Sequence, residues 1–424
     1  MRVKLGFEIE NPTTKKAVTH VVTDSREARQ GDLFFPLKGK YGDGKDYVSD
    51  ALKRGAEISS LSLMEFAKLY KSRLPRLIHT VAITGSVGKT TTKEFLLRIA
   101  KKQFKAHANP ENHNNEIGLP LSILSAPEDT EILILEMGTS SPGEIERLSK
   151  CAEPTVGVIT NIGTAHIGAF GTREAIAKEK LSVRAALGKG RLILPYGEPL
   201  LEGVSDYLFS STSRWARVAL LSGKEGSLSL YIHGKYSLTA NFFQNAPHLL
   251  ECLAAACSAA HYVGVSPQNI KEGIESIDGS CVRHRLIHIG NYNILDDSYN
   301  ASLESVLADL KMMTGLGFQE SSLLLGDIRE LGSHTENIHK EIGRVAVKYK
   351  LSRLYLFGKD AATVGEEASA CGFPAERIFY NEDTDSPEIT AKQIKENEGG
   401  NSVILFKASR AVRLERVRDC LSMG

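Results

Sequence analysis

A glycine-rich turn lies between an apolar run and a helical pattern, near residue 85. The turn contains Gly85, Ser86, Val87, Gly88, Lys89, Thr90 and Thr91. Its glycines allow successive backbone N–H groups to converge on phosphate oxygens, and the next helix adds the positive end of its dipole. Lys89 would neutralise the β- and γ-phosphates of a nucleotide, and the Thr90 hydroxyl would coordinate Mg²⁺. We call residues 85–91 the phosphate loop. Ile83 stands where the longer form of the motif has a glycine, so the match is to the shorter form Thr-Gly-x-x-Gly-Lys-Thr-Thr. The alternative is an ordinary strand-to-helix turn that contains Gly and Lys.

Two further candidates follow apolar runs that are typical of buried strands. Glu136 comes directly after residues 132–135, and His166 ends the segment 160–166 behind another apolar run. Ligands of open α/β sheets bind at the carboxyl ends of the strands, where a carboxylate most naturally holds Mg²⁺. For Glu136 the alternative is a glutamate in solvent. For His166 a structural histidine is as reasonable as a metal or phosphate ligand.

Two polar loops offer uncharged donors and acceptors. Asn112, Asn114 and Asn115 precede a proline-limited helix start, and alone they would form a loop with a capping residue. Ser25 and Arg26 lie in a polar stretch between short apolar strands near the N-terminus. That stretch could grip a polar ligand or form simple surface turns, and the residues support both interpretations equally.

The elements that must position these residues fall into three segments. Residues 1–76 form a small α/β domain, and the following alternation of strands and helices predicts a mostly parallel sheet. Residues 77–283 are therefore predicted to be a central, P-loop-type ATP-binding domain, with a smaller antiparallel patch at 217–243. A hairpin-like entry and a second α/β series predict a Rossmann-like domain over residues 284–424, in which the polar stretch 382–398 is solvated loop and helix face. The predicted fold class is thus α/β with three domains.

The composition is that of a soluble globular protein without a strong electrostatic field. The chain of 424 residues has 52 Lys and Arg against 51 Asp and Glu, which leaves a formal charge of +1. Nucleic acid and anionic membrane are therefore not expected partners. The six cysteines show no C-x-x-C spacing, which favours buried free thiols in a reducing cytoplasm. With no signal peptide and no run long enough to cross a bilayer, we predict a cytoplasmic protein that is monomeric.

The order and spacing of many motifs resemble those of the Mur ligase family. The matching segments are 24–26, 31–35, 85–91, 112–120, 136–138, 142–145, 160–166, 178–180, 296–301, 326–332 and 407–410. Together they extend over nearly the whole chain. The Asn-rich loop, the segment Glu-Met-Gly-x-x-x-Pro-Gly-Glu-Ile and the segment Asp-Asp-Ser-Tyr-Asn-Ala look most like those of members that join D-alanyl-D-alanine to UDP-N-acetylmuramoyl-tripeptide.

The resemblance implies an ATP-dependent amide ligase of peptidoglycan precursor synthesis, with ATP and Mg²⁺ as cofactors. ATP would bind the phosphate loop, and the carboxylate of the UDP-linked tripeptide would attack the γ-phosphate to give an acyl phosphate. The amine of D-alanyl-D-alanine would then displace phosphate. Catalysis of this kind consists mainly of positioning and charge neutralisation at the transferring phosphoryl group.

The same resemblance assigns catalytic and metal-binding roles. The catalytic residues would be Lys89, Glu136, His166 and Lys180. Thr90 and Glu136 would hold one metal ion, and His166 would help to hold a second. Lys180 aligns with a lysine that the family carbamylates, which would add a carboxylate facing Mg²⁺ and requires a neutral amine. Sequence alone favours a surface lysine at this position.

The resemblance also assigns substrate contacts. The first domain would hold the UDP end through Ser25 and Arg26, while Asn300 and Arg285 would contact ATP. The other substrate-binding residues would be Asn112, Asn114, Asn115, Asp296, Asp297, Tyr299, Ser409 and Arg410. The third domain would close over the site and exclude water from the acyl phosphate. Residues 245–251 depart from the family's G-x-H-N-x-x-N pattern, so no adenine contact is assigned.

Two alternatives remain open. The first keeps the chemistry and changes the substrate: a sibling Mur ligase, or a folylpolyglutamate-synthase-like ligase, that adds a single amino acid. The second is a P-loop NTPase that acts as a switch or transporter subunit, which predicts nucleotide hydrolysis without a carboxylate acceptor. That class offers no role for residues 24–26 or 296–300.

Overall fold

Three β-sheets organise the chain. The structure, a computed structural model, describes residues 1–39, 42–205, 207–223, 227–242, 246–281 and 285–422. The sheets have four, nine and six strands. We call the parts built on them the first unit (residues 2–72), the middle unit (79–275) and the C-terminal unit (285–422).

The first unit is a small mixed sheet with two α-helices. Its elements are β1 (Arg2–Glu10), β2 (Ala17–Val22), β3 (Leu33–Phe34), α1 (Val48–Lys53), β4 (Glu57–Ile58) and α2 (Leu63–Ser72). β1 and β2 are antiparallel, whereas β2, β3 and β4 are parallel. α2 begins with a capping box, in which Ser62 and Glu65 satisfy each other's backbone N–H groups.

The middle unit is built on a large, mostly parallel sheet. Its strands are β5 (His79–Thr84), β6 (Ala106–Ala108), β7 (Ile132–Glu136), β8 (Val156–Ile159), β9 (Arg191–Pro195), β10 (Tyr207–Ser210), β11 (Val218–Ser222), β12 (Ser227–Ile232) and β13 (Lys235–Asn241). Its helices are α3 (Lys89–Ala100), α4 (Gly118–Leu124), α5 (Glu144–Ala152), α6 (Ile167–Phe170), α7 (Arg173–Leu181), α8 (Pro247–Tyr262) and α9 (Pro267–Glu275). The strand order is β13-β12-β11-β10-β9-β8-β5-β7-β6. Because helices cover both faces, the apolar runs of β5 and β7 are fully buried, as predicted for parallel strands.

The antiparallel strands predicted at 217–243 do not form a separate patch. β11, β12 and β13 pair antiparallel with each other, but β11 also pairs in parallel with β10. The three strands therefore extend one edge of the main sheet. β10 has only four residues, too few to show a strand periodicity in the sequence. Residues 224–226 and 243 of the predicted stretch lie outside the described residues.

The C-terminal unit is a six-stranded sheet with helices on both faces. Its strands are β14 (Arg285–Ile289), β15 (Tyr292–Asp296), β16 (Glu320–Gly326), β17 (Arg353–Phe357), β18 (Ile378–Asn381) and β19 (Ser402–Lys407), in the order β14-β15-β19-β16-β17-β18. Its helices are α10 (Leu303–Thr314), α11 (Thr335–Lys348), α12 (Ala362–Ala370), α13 (Pro387–Asn397) and α14 (Glu415–Ser422). The predicted hairpin is the antiparallel pair β14–β15, and the other pairs are parallel.

The predicted solvated loop and helix face at 382–398 contains α13, which also has a buried face that the sequence did not indicate. Thr390, Ala391 and Ile394 of this helix are buried, and the last two belong to a core cluster with β19 and α14. The charged residues between them occupy the outer face, so the stretch looks uniformly polar although it is an amphipathic helix.

Three sequence expectations concern the chain as a whole. The predicted domain boundary at 283/284 lies outside the described residues, and the one at 76/77 stays a prediction. All six cysteines are free, but only Cys151, Cys252, Cys257 and Cys281 are buried. Within the described residues, no helix combines the length and the apolar composition that crossing a bilayer requires.

A buried tyrosine joins the first unit to the middle unit. Tyr70 of α2 is fully buried, and its ring stacks on Phe7 of β1 with a centroid distance of 4.3 Å. Its hydroxyl accepts a hydrogen bond from the Phe7 N–H (3.0 Å) and donates one to the Ala126 carbonyl (2.9 Å). One hydroxyl thus satisfies two backbone groups from different units.

We expect Tyr70→Phe to destabilise the protein by about 1–3 kcal/mol, because it leaves a partly buried N–H and a buried carbonyl without a partner. The measurement is the midpoint of chemical denaturation, followed by circular dichroism. Tyr196→Phe is the matched control, since Tyr196 is 45% exposed. Equal midpoints for the two variants would contradict this role of the Tyr70 hydroxyl.

Candidate active site

The carboxyl ends of β5, β7 and β8 open into a cavity that the C-terminal unit covers from the other side. Its volume is about 640 Å³, within the usual range for small-molecule sites. From the middle unit it is lined by Ser86, Val87, Gly88, Lys89, Thr90, Thr91, Asn112, Asn114, Asn115, Glu136 and His166, among others. From the C-terminal unit it is lined by Asp297, Tyr299, Asn300, Glu304, Asp309, Glu330 and Lys407, among others. Residues that are two hundred positions apart in the sequence thus share one cavity.

The phosphate loop has the backbone that its glycines predict. Gly85 has φ +150° and Gly88 has φ +81°, and Gly88 immediately precedes α3. A Cβ at Gly85 would lie 1.9 Å from the Thr160 hydroxyl oxygen, so only glycine fits. Lys89 folds back over the loop and donates to the carbonyls of Gly85 (2.9 Å) and Ser86 (3.1 Å). Its ammonium group therefore lies across the turn that would hold phosphates.

Two residues that follow β8 support the phosphate loop from behind. The Thr160 hydroxyl donates to the Val87 carbonyl (2.6 Å), and the Asn161 side-chain oxygen accepts from the N–H groups of Ser86 (3.2 Å) and Val87 (3.0 Å). The sequence singled out His166 in this segment and missed Thr160 and Asn161. The available signal was their place at the end of an apolar strand, on the sheet edge that carries the loop.

Glu136 lies at the floor of the cavity and is 3% exposed. Its carboxylate accepts hydrogen bonds from the Thr90 hydroxyl (2.8 Å) and from the Asn114 side-chain amide (2.8 Å). Asn109 fixes the backbone at this point, because it accepts from the Glu136 N–H (2.8 Å) and donates to the Glu136 carbonyl (3.0 Å). The structure therefore brings three predicted site residues together and adds Asn109, which the sequence did not indicate.

Thr90 and Glu136 fit a magnesium ion by their chemistry. Mg²⁺ prefers oxygen ligands and is usually held by one or two protein groups together with phosphates and water. A hydroxyl and a carboxylate 2.8 Å apart, beside the phosphate loop, could supply two such ligands. Among the described residues, no three His, Cys, Asp or Glu side chains form a ready-made metal cluster. A metal here would therefore depend on the nucleotide for further ligands.

His166 lines the same cavity, but its ring contacts the C-terminal unit. The residue has φ +62°, directly before α6, and its Nδ1 contacts the Glu330 carboxylate. Glu330 is itself in the left-handed region, with φ +65°. The structure thus pairs His166 with a residue of the 326–332 motif, to which the sequence assigned no site role.

Lys180 is buried next to the site, in the last turn of α7. Its side chain is 2% exposed, so the expectation from residue type alone, a surface lysine, was wrong. Burial, together with the nearby Lys89 charge, holds the pKa of Lys180 well below its usual value, although Glu179 acts in the opposite direction. Glu179 turns away and accepts from the N–H groups of Gly143 (2.7 Å) and Ile145 (2.9 Å) at the start of α5. Lys180 does not line the cavity.

The C-terminal side of the cavity contains a buried charge triad. Lys407, at the end of β19, is fully buried and donates to Asp297 and, at 2.7 Å, to Asp309 of α10. Burial alone would lower the pKa of Lys407, but the two carboxylates outweigh it and raise the pKa. The sequence predicted a substrate-binding role for Asp297 but missed Lys407 and Asp309, because nothing in the order of residues links them.

A second cavity of about 690 Å³ borders the first and contains most of the other predicted residues of the C-terminal unit. It is lined by Thr90, Thr91, Arg285, Asp296, Asp297, Tyr299 and Arg410, among others. Arg418 binds Asp296 (2.7 Å), and the Arg410 guanidinium lies 5.8 Å from the centre of the Tyr299 ring. The Tyr299 hydroxyl donates to Asn112 of the middle unit. Opposite charges and an interface between units are thus combined in this cavity.

Other predicted residues line neither of these two cavities. Ser25 is buried in the first unit, while Arg26 is exposed and pairs with Asp24 at 2.6 Å. Ser409 accepts from the Arg329 N–H (2.8 Å) and so supports the loop after β16. The segment compared with the adenine motif is partly outside the described residues, since Asn245 is not among them, but His248 and Glu251 line the first cavity.

Comparison with known proteins identifies the family. The family model described as Mur ligase middle domain matches residues 83–237, and the one described as Mur ligase family, catalytic domain, matches residues 17–87. The UDP-N-acetylmuramoyl-tripeptide--D-alanyl-D-alanine ligase of Bacillus subtilis is 33% identical, over 96% of this chain and 94% of that protein. The chain belongs to the Mur ligase family.

Solved structures of Mur ligases have the same fold. MurF from Acinetobacter baumannii superposes with a TM-score of 0.84 at 25% identity, over 97% of this chain and 95% of that one. MurF from Thermotoga maritima, in complex with ADP, gives a TM-score of 0.80 at 30% identity, over 95% and 97%. The predicted three-domain α/β class is therefore confirmed. This Mur ligase is an ATP-dependent enzyme that forms carbon–nitrogen bonds, as the resemblance implied.

Proposed function

We propose that this Mur ligase joins D-alanyl-D-alanine to UDP-N-acetylmuramoyl-tripeptide, through an acyl phosphate, with release of ADP and phosphate. The observation that supports the chemistry most directly is the shared cavity, in which the phosphate loop and Glu136 of the middle unit face Asp297 and Lys407 of the C-terminal unit. The substrates are those named for the Bacillus subtilis relative, which is similar over nearly its full length. An enzyme that adds a single amino acid is not favoured by these relatives.

The residues of the first cavity have complementary tasks in this reaction. Lys89 and the loop N–H groups other than those of Ser86 and Val87, which Asn161 holds, bind the phosphates. They neutralise the charge that develops as the tripeptide carboxylate attacks the γ-phosphorus. Thr90 and Glu136 would hold one Mg²⁺ ion and His166 would help to hold a second, and bound Mg²⁺ supplies further charge neutralisation. The attack breaks the bond between the γ-phosphorus and the bridging oxygen, which leaves with ADP. The amine of the dipeptide then attacks the acyl carbon, loses a proton and displaces phosphate.

The second cavity is our assignment for the incoming dipeptide. Asp296, Asp297, Tyr299 and Arg410 line it and offer both negative and positive charge to a zwitterionic ligand. Asn300 and Arg285 are assigned to ATP, and Asn114 with Asn115 to the substrates at the first cavity. Ser25 and Arg26 are assigned to the UDP end in the first unit, although they lie apart from both cavities. Ser409 acts by supporting the loop at Arg329.

Three further assignments accompany this function. We propose that Lys180 is carbamylated, which its burial and lowered pKa favour, since carbamylation needs a neutral amine. We propose domains at 1–76, 77–283 and 284–424, for binding UDP, binding ATP and closing over the site. We also propose that the protein acts in the cytoplasm as a monomer, without nucleic acid as a partner.

A reconstitution assay tests the function. Purified protein is incubated with Mg²⁺, ATP, UDP-N-acetylmuramoyl-tripeptide and D-alanyl-D-alanine, and both phosphate release and product mass are followed. We expect a ligated product that requires all four additions. Parallel reactions replace the dipeptide with D-alanine, L-alanine or glutamate. Turnover only with a single amino acid would refute the dipeptide assignment, and ATP hydrolysis that ignores the UDP-linked substrate would favour an NTPase switch.

A further inference from the structure

A single segment after β8 contacts both the phosphate loop and the C-terminal unit. On the phosphate-loop side, Asn161 holds two loop N–H groups, and the Gly163 N–H donates to the Ser86 hydroxyl (2.8 Å). On the other side, the same segment meets α10 and the loop before α11. We call residues 160–171 the shared segment. This segment therefore contacts the phosphate loop and the C-terminal unit simultaneously.

Glu304 makes the first contact from the C-terminal unit. Its carboxylate accepts hydrogen bonds from the Thr164 N–H (2.7 Å) and the Thr164 hydroxyl (3.1 Å). A glutamate in the first turn of a helix usually stabilises the positive N-terminal end of that same helix. Here Ser302 and Ser305 form the capping box of α10, so Glu304 reaches across to the other unit.

The Glu304 carboxylate occupies the space that a side chain at position 163 would enter. A Cβ on Gly163 would lie 2.7 Å from the Glu304 carboxyl carbon and 2.9 Å from each of its oxygens. Glu304 supplies all three of the nearest atoms, and the backbone of Gly163 is not in the left-handed region. A larger residue at position 163 would therefore displace the Glu304 carboxylate, whereas the local backbone conformation would not oppose it.

A second contact lies at Gly168, four residues beyond Thr164 in the shared segment. The Gly168 N–H donates to the Glu330 carbonyl (2.9 Å), and a Cβ on Gly168 would lie 2.6 Å from the Gly332 nitrogen. His334 Nε2 lies 3.0 Å from the Gly171 carbonyl. At this point the two backbones touch, so the relative position of the units is defined at two separated places.

We propose that Glu304 is a positioning residue: its hydrogen bonds to Thr164, which we call the latch, hold the C-terminal unit against the shared segment. Closure of that unit then affects the position of the phosphate loop through the hydrogen bond between Gly163 and Ser86. The inference rests on the proposed ligase function. The consequence is that ATP cleavage is coupled to ligation. While the latch is closed, water is excluded from the acyl phosphate, so the dipeptide amine is the nucleophile that reacts with it. An open latch lets water hydrolyse the intermediate.

The test compares Glu304→Ala, Gly163→Ala and the double variant in the reconstitution assay. The wild type should release equal amounts of phosphate and ligated product. For each single variant we expect kcat/KM for D-alanyl-D-alanine to fall by roughly 10-fold, and phosphate to exceed product. In the double variant Gly163→Ala should add less than about a twofold effect, because the carboxylate that its methyl group would strike is gone.

Two control variants distinguish loss of the Glu304–Thr164 contact from a non-specific effect of removing a carboxylate. Glu336→Ala removes an exposed carboxylate of α11 that pairs only locally, with Lys340 at 2.6 Å, and should keep phosphate and product equal. Glu304→Gln keeps the shape and one acceptor oxygen, so its effect should have the same direction but be smaller. The proposal would be overturned if the losses in kcat/KM of Glu304→Ala and Gly163→Ala multiplied in the double variant. It would also be overturned if Glu304→Ala left the ratio of phosphate to product unchanged. A wild-type enzyme that forms no ligated product would refute the function instead.

Discussion

Lys89→Met is expected to lower kcat for ligation by about 10³-fold or more, while leaving the fold intact. The Lys89 ammonium already lies across the phosphate loop, where it donates to two loop carbonyls. Methionine has a similar length, so the packing is retained and the positive charge is lost. Acyl-phosphate formation should suffer most, because charge accumulates on the transferring phosphoryl group. The measurement is initial-rate product formation at saturating substrates.

Lys102→Met is the matched control for Lys89→Met. Lys102 follows the same helix, α3, and is exposed at its far end. We expect wild-type rates for this variant. Less than a tenfold loss in Lys89→Met would mean that the loop N–H groups alone stabilise the transition state, which would refute our assignment of Lys89.

Lys180→Ala is expected to abolish most activity, by about 10²-fold or more, and short carboxylic acids should restore part of it. The physical reason is the proposed carbamate, in which the neutral amine adds to CO₂ and releases a proton. A buried lysine with a lowered pKa provides that amine at neutral pH. Formate or acetate could then occupy the space of the missing carboxylate. Rates are measured across a titration of each acid.

Rescue distinguishes a carbamate from simple packing. Alanine at position 180 also removes buried side-chain volume, but an added acid would not repair a purely structural defect. Lys178→Ala is the control, because Lys178 lies on the same helix and is exposed. Full activity in Lys180→Ala, or a loss that no acid reverses while circular dichroism shows a native fold, would exclude the carbamate role.

Local features of the site could be predicted because they depend on neighbouring residues. The phosphate loop is contiguous, and the backbone at Gly85 and Gly88 follows from their lack of a side chain. Glu136 ends an apolar run that is typical of a buried strand, so its place at the sheet edge was predictable. The hairpin β14–β15 was also predictable from neighbouring residues, because a Gly-Asn turn separates two strand-like runs.

The burial of Lys180 illustrates what residue type does not determine. Its neighbours Lys178 and Glu179 give the helix a polar appearance, yet the side chains at 179 and 180 are buried and the one at 178 is exposed. The difference depends on which face of α7 packs against the neighbouring helices α5 and α6. Only the resemblance to a family, not the charge pattern, indicated a buried amine here.

The sequence alone determined that this chain is an α/β nucleotide-binding enzyme, with a phosphate loop, a strand-end carboxylate and a second α/β unit downstream. Only the tertiary structure decided how these parts meet. Asn161 holds the phosphate loop, Lys407 joins Asp297 to Asp309, and Glu304 binds Thr164 across 140 residues of sequence. Hydrogen bonds of this kind leave no periodic trace in the chain, because they depend on how separately folded units pack. The chemistry was local and predictable, whereas the coupling between the units was not.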